Sequence, residues 1–168
     1  MARFEQEGPL VDGHLQMECV ILIGLPASGK STFYREHFAG THDHVCKDAL
    51  GHHRKPQKRQ EQLISESLAL GHSVVIDNTN PSKEVRAPLI ALARRYGART
   101  IGYFFPGHAR DAQRRNRSRE GRQRVPDVAI FSIRKRLEPP SLEEGFDRLY
   151  VVRLKEENRS FEVSDWPA

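Results

Sequence analysis

Short apolar runs alternate with amphipathic stretches along most of this chain, and turn residues punctuate them. Cys19–Ile23 is five consecutive apolar residues, too short for a helix and typical of a strand buried on both faces. Gly24–Gly29 interrupts it with turn formers, and Ser31–Phe38 then reads as a helix. Val45-Cys46 suggests a second, short strand. Leu63, Ile64, Leu68 and Leu70 predict a helix over 60–70, closed by Gly71. Ser73–Asp77 is the next buried strand. Asn80-Pro81 reads as an N-cap with proline at the first helical position, and Val85, Leu89, Leu92 and Tyr96 share one face of the helix that follows. Thr100–Phe105 predicts a strand stopped by Pro106-Gly107. Helices are expected over 109–118 and 126–137, and Leu149–Leu154 is the last predicted strand. Residues 1–17 and the tail to Ala168 read as polar, weakly patterned extensions.

Strands alternating with helices imply βαβ units and hence a mainly parallel α/β sheet, here of about five strands, covered on both faces. The 168 residues suit one domain with a core over about 18–154. Hydrophobic residues at 38% and charged residues at 29% fit a globular chain. No apolar run approaches membrane-spanning length. Met1–Leu10 has neither the basic start nor the apolar stretch of a signal peptide. Cys19 and Cys46 have no C-x-x-C spacing, which argues against a zinc or disulfide framework. The expectation is a reduced, cytoplasmic, single-domain protein with no membrane partner.

The strongest chemical signal is Gly24-Leu-Pro-Ala-Ser-Gly-Lys-Ser31. This is G-x-x-x-x-G-K-S, set between a strand and a helix as a P-loop must be. Its glycines let backbone N–H groups close on phosphates, and the helix that follows aims its positive end at the same anion. Gly24, Ala27, Ser28, Gly29 and Thr32 form the cradle. Lys30 is placed to neutralise the β- and γ-phosphates of ATP or another NTP, and Ser31 to coordinate Mg²⁺.

Motors, switch GTPases and kinases all use this loop. The guanine-specific N-K-x-D is missing, as is the D-x-x-G after the third strand, whereas two aspartates close predicted strands. Asp48 follows Val45-Cys46 and Asp77 ends Ser73–Ile76. Both would meet the P-loop at the carboxyl edge of the sheet, where open α/β sheets bind ligands. A kinase needs one carboxylate as base for the acceptor hydroxyl and one to organise Mg²⁺.

The formal net charge is +5, and residues 109–124 alone hold seven arginines against Asp111 and Glu120. Elsewhere such a run reads as a solvated helix face. Here it falls where small P-loop kinases carry a lid, and its surplus of arginine points to a polyanionic acceptor. Arg54, Lys55, Lys58 and Arg59 make a second basic cluster. His42-Asp43-His44 and His52-His53 read as solvated loop residues, and Tyr103, Phe104 and Phe105 as strand core.

Gly24–Phe33, Lys47-Asp-Ala-Leu-Gly51 and Val75-Ile-Asp-Asn-Thr-Asn-Pro81 together resemble the kinase module of polynucleotide kinases, closest to the animal kinase-phosphatases. Arg115-Asn-Arg-Ser-Arg-Glu120 resembles the lid of that module, and Glu138–Phe146 the segment before its last strand. The resemblance implies a P-loop kinase fold of nucleoside-monophosphate-kinase type with an Arg-rich lid. It also implies ATP- and Mg²⁺-dependent phosphorylation of 5′-hydroxyl ends of DNA or RNA. By the same resemblance Asp48 is the general base, Asp77 is required for activity, and Arg119, with Arg115 nearby, contacts the ATP phosphates. Phage-type members carry arginine three residues after the base where this chain has Gly51, as animal-type members do. Arg54, Lys55 and Lys58 are then the candidates for holding the acceptor strand. No D-x-D-x-T phosphatase signature is present, so any phosphatase or ligase partners would be separate proteins. A kinase of a small-molecule hydroxyl would use the same loop, base and lid, and a non-catalytic ATP-binding module would need no Asp48.

Overall fold

A computed structural model describes residues 10–11 and 14–167. Most of the N-terminal extension read from the sequence lies outside them. Within it, Leu10–Val11 (β1) and His14–Leu15 (β2) pair antiparallel. The remaining strands are Glu18–Gly24 (β3), Asp43–Val45 (β4), Val74–Asp77 (β5), Arg99–Phe105 (β6), Arg148–Lys155 (β7) and Ser160–Asp165 (β8). They form one six-stranded sheet in the order β4-β5-β3-β6-β7-β8, parallel except for β8. The helices are Lys30–His37 (α1), Pro56–Ala69 (α2), Lys83–Arg95 (α3), Ala109–Arg117 (α4) and Asp127–Arg136 (α5).

The sheet is covered on both faces, as the apolar runs require. Every residue of β3 is buried. Cys19, Ile21 and Ile23 turn to one side with Ile64 and Leu68 of α2 and Leu89 and Ile90 of α3. Val20 and Leu22 turn to the other with Phe33 and Phe38. Tyr103, Phe104 and Phe105 are buried in these two layers, which uses them as packing. A third, smaller cluster of Leu25, Ala112 and Ile130 joins α4 and α5 over the carboxyl edge.

Three expectations need correction. The tail is not featureless, because Phe161 and Val163 alternate onto one face and make β8 an antiparallel edge strand. Trp166 also returns to the domain, edge-on to Phe104 at 5.8 Å. Asn80 is not the cap of α3. Ser82 is, accepting from the Val85 N–H at 3.3 Å, while Asn80 takes a φ of 43° and donates to the Leu22 carbonyl at 2.7 Å. Satisfying that buried carbonyl is worth more than a solvent-side cap. Finally, His42, in the bend before β4, and His44, exposed within it, are bonded side chains and not freely solvated ones. β4 starts at Asp43 and draws both imidazoles against acids, His42 to Glu18 at 3.3 Å and His44 to Asp77 at 2.9 Å.

Candidate active site

The parallel register sets the site. Leu22 pairs with Asp77, so β5 ends two residues short of the point where β3 runs into the P-loop. Gly24 anchors the start of the loop through its N–H to the Thr79 carbonyl at 3.0 Å. A Cβ on Gly24 would meet the Phe105 Cβ at 2.9 Å, so the strand-to-loop exit passes too close to β6 for any side chain. At the far end Gly29 has a φ of 97°, and a Cβ there would also press on the Phe161 ring at 3.0 Å. Ala27 holds a φ of 61°, a strained value for a residue with a Cβ and one that recurs at ligand-binding loops.

Lys30 opens α1 but folds back under the loop. Its Nζ donates to the carbonyls of Gly24 and Leu25 and to the Ser28 hydroxyl, at 3.0, 2.5 and 3.2 Å. Burial pulls its ammonium down from 10.5 to about 8 against the attraction of Asp77, with Arg119 lowering it further and Asp48 opposing. Ser31, one residue on, donates to Asp77 Oδ2 at 2.7 Å. Burial by itself would raise Asp77, but hydrogen bonds from His44 and Ser31 and the charge of Lys30 outweigh it and hold the carboxyl below its ordinary value. The Ser31 hydroxyl and Asp77 carboxylate are hard oxygen donors side by side, which fits Mg²⁺.

Asp48 sits in a single 3₁₀ turn, Lys47–Leu50, with its side chain exposed. That turn is tied to the end of β5, because the Lys47 N–H donates to Asn78 Oδ1 at 2.9 Å and Asn78 in turn reaches Gln60 of α2. Asp48 lies within electrostatic reach of both Lys30 and Arg119. Arg119, half-buried just past α4, is lowered by burial and by Arg115, and Asp48 and Asp77 pull the other way. Arg115 takes a different position from a free lid arginine. Its Nε donates to the Ala27 carbonyl at 2.6 Å and its Nη1 to Glu156 at 2.9 Å. Thr32 faces the first turn of α1 and accepts from Arg35 at 3.1 Å.

The structure therefore brings Lys30 beside the bonded pair Ser31 and Asp77, with Asp48 and Arg119 within electrostatic reach from two other segments. Arg54, Lys55 and Lys58 are exposed beyond the Asp48 turn, and Arg122 and Arg124 are exposed past α4. Sequence reasoning passed over His44, which bonds Asp77, and Glu156, which holds Arg114 and Arg115. It also passed over Arg86, fully buried in α3. Arg86 makes paired bonds to Glu144 at 2.8 and 2.9 Å and a third to the Asn80 carbonyl at 3.0 Å. Only the alternation of His44 and Cys46 with Val45 pointed to the first, and the other two rest on distant partners with no local mark.

The family model for an AAA domain matches residues 19–140, most of the chain. The chain belongs to this family. Within the AAA domain family it is a P-loop kinase-type protein and resembles polynucleotide kinases. It is 30% identical over 142 residues to the bifunctional polynucleotide phosphatase/kinase of Schizosaccharomyces pombe, a match covering 82% of this chain and 34% of that protein. The chain thus spans about a third of the length of that relative. Among solved structures, a Pnkp1/Rnl/Hen1 complex matches 61% of this chain and 40% of its own, at 26% identity and a TM-score of 0.53. A sugar kinase from Janibacter sp. matches 82% of this chain and 85% of its own, at 17% identity and a TM-score of 0.62, a likeness of fold. Among the described residues of this AAA domain no helix is long and apolar enough to cross a membrane.

Proposed function

We propose that this protein is an ATP-dependent polynucleotide 5′-hydroxyl kinase, transferring the γ-phosphate to 5′-hydroxyl ends of DNA or RNA. One observation carries the reading. The candidate base stands exposed, and the segment that follows it, 51–58, is exposed throughout and presents Arg54, Lys55 and Lys58. An acceptor approaching Asp48 thus meets an open cationic surface suited to a chain of phosphates. A cavity of about 390 Å³ lies elsewhere, lined by Phe104, His108, Leu137 and Arg153 on the β6–β7 side of the sheet.

In this reading the P-loop amides and Lys30 hold the β- and γ-phosphates. Asp48 takes the proton of the 5′-hydroxyl as its oxygen bonds to the γ-phosphorus, and the bond to the bridging oxygen breaks to release ADP. Arg119 offsets charge on the transferring group. Ser31 and Asp77 would hold Mg²⁺, which when bound neutralises charge on the phosphates. Arg115, bonded to Ala27, stiffens the loop from the lid side.

The same fold serves kinases of small hydroxyl compounds, so the test sets acceptors against one another. The protein is incubated with γ-labelled ATP, Mg²⁺ and a panel of 5′-hydroxyl oligonucleotides, nucleosides and sugars. Label is expected on oligonucleotide 5′ ends. Label on a small molecule alone would defeat the proposal.

A further inference from the structure

We propose that His44, Cys46 and Asp77 form a binding site for a thiophilic divalent cation, Zn²⁺ above all, and that filling it draws Asp77 away from Ser31. His44 and Cys46 flank Val45, which packs into the opposite face of the sheet, so both turn to the side that carries Val75 and Asp77. One nitrogen, one sulfur and one carboxylate oxygen of this trio all lie within 4.8 Å of one another. Three atoms so placed lie within about 2.8 Å of a common point, and zinc bonds of about 2.0–2.3 Å need only small side-chain shifts from there.

The donor set is the second argument. Imidazole and thiolate favour zinc, whereas Mg²⁺ takes oxygen ligands. Asp77 is thus shared between two incompatible sites, hard oxygen toward Ser31 and mixed nitrogen and sulfur toward β4. Cys46 would release its thiol proton to solvent on binding, and its thiolate with the Asp77 carboxylate then balances the charge of the cation. His44 is already oriented, its ring stacked on Tyr34 at 4.0 Å and 12°. Its side chain is 34% exposed, which leaves an entry path and a fourth position for water.

The expected consequence, which rests on the kinase reading above, is that Zn²⁺ antagonises Mg²⁺-dependent phosphoryl transfer. The full chain is titrated with Co²⁺ as a visible zinc substitute, and then with Zn²⁺. One Co²⁺ per chain should bind with tetrahedral bands and a cobalt–thiolate charge-transfer band, and Zn²⁺ should displace it. Cys46→Ser should abolish the thiolate band and weaken Zn²⁺ binding by at least about tenfold. The same factor should separate the Zn²⁺ concentrations that inhibit the two proteins, with Mg²⁺-supported turnover alike in both. No thiolate band, or a band that survives Cys46→Ser, overturns the site. Equal zinc inhibition of both proteins overturns the withdrawal of Asp77. A chain that phosphorylates no acceptor would sink the kinase reading, and the cobalt titration would still decide the site.

Discussion

A buried ammonium bonded to neutral oxygens is the residue-scale feature with the clearest thermodynamic signature. Lys30 is bonded to two carbonyls and a hydroxyl, and burial holds it near 8 against 10.5 when solvated. Between those values the unfolded chain keeps the proton and the folded chain releases it, so the unfolded state binds more protons and stability rises with pH. The wild type should gain on Lys30→Met by up to about 3 kcal/mol across that window, read as the difference between urea unfolding curves without nucleotide. Curves that stay parallel from pH 8 to 10 would show that the ammonium is solvated. Asp48 poses the opposite case, an exposed carboxylate with no bonded partner among the described residues, as a base that must meet an incoming hydroxyl has to be. Asp48→Asn should keep ATP affinity and lower turnover by about 10²–10⁴-fold. Loss of ATP affinity with turnover of bound substrate intact would make Asp48 a nucleotide or metal ligand instead.

At the scale of elements, α3 is locked to the segment before β7 by an ion pair whose arginine is fully buried and whose carboxylate is nearly so. Arg86→Met leaves the Glu144 carboxylate buried without its partner, which should destabilise the fold by about 3–5 kcal/mol. The double change Arg86→Met with Glu144→Gln should recover part of that, and equilibrium unfolding of the two variants measures the difference. Glu144 also completes a capping box with Ser141, so the charge pair and the turn stand or fall together. This coupling shows where the sequence was legible. The P-loop was, because all its parts lie in eight successive residues. Asp48 and Asp77 were, because each marks the end of a short apolar run. Arg86 and Glu144 stand 58 positions apart, and His44 and Asp77 stand 33 apart. Their meeting depends on strand order and register, which no local pattern encodes. β8 was missed for a related reason, since two half-buried hydrophobic residues on an edge strand look like a polar tail until a partner strand is known.

For the whole molecule, the positive charge is arranged more tellingly than its sum. Arg54, Lys55 and Lys58 lie on the Asp48 side of the cluster, and Arg122 and Arg124 lie on the lid side, all of them exposed. If these side chains hold strand phosphates, each contact removed should reduce the salt slope of single-strand binding by about 0.7. The Michaelis constant for oligonucleotides should rise with each change while that for ATP stays put. Binding that is weak and indifferent to both salt and these substitutions would favour a small acceptor. The contact of Phe161 with Gly29 has a consequence in time. A chain emerging from the ribosome holds Gly24–Ser31 long before β8 is made. β8 pairs locally with β7 across a short turn, but its approach to Gly29 joins residues far apart in sequence, and such contacts form late. Helical and strand signals should therefore return first, and nucleotide affinity should arrive in a separate, slower phase set by the docking of Phe161 against the loop.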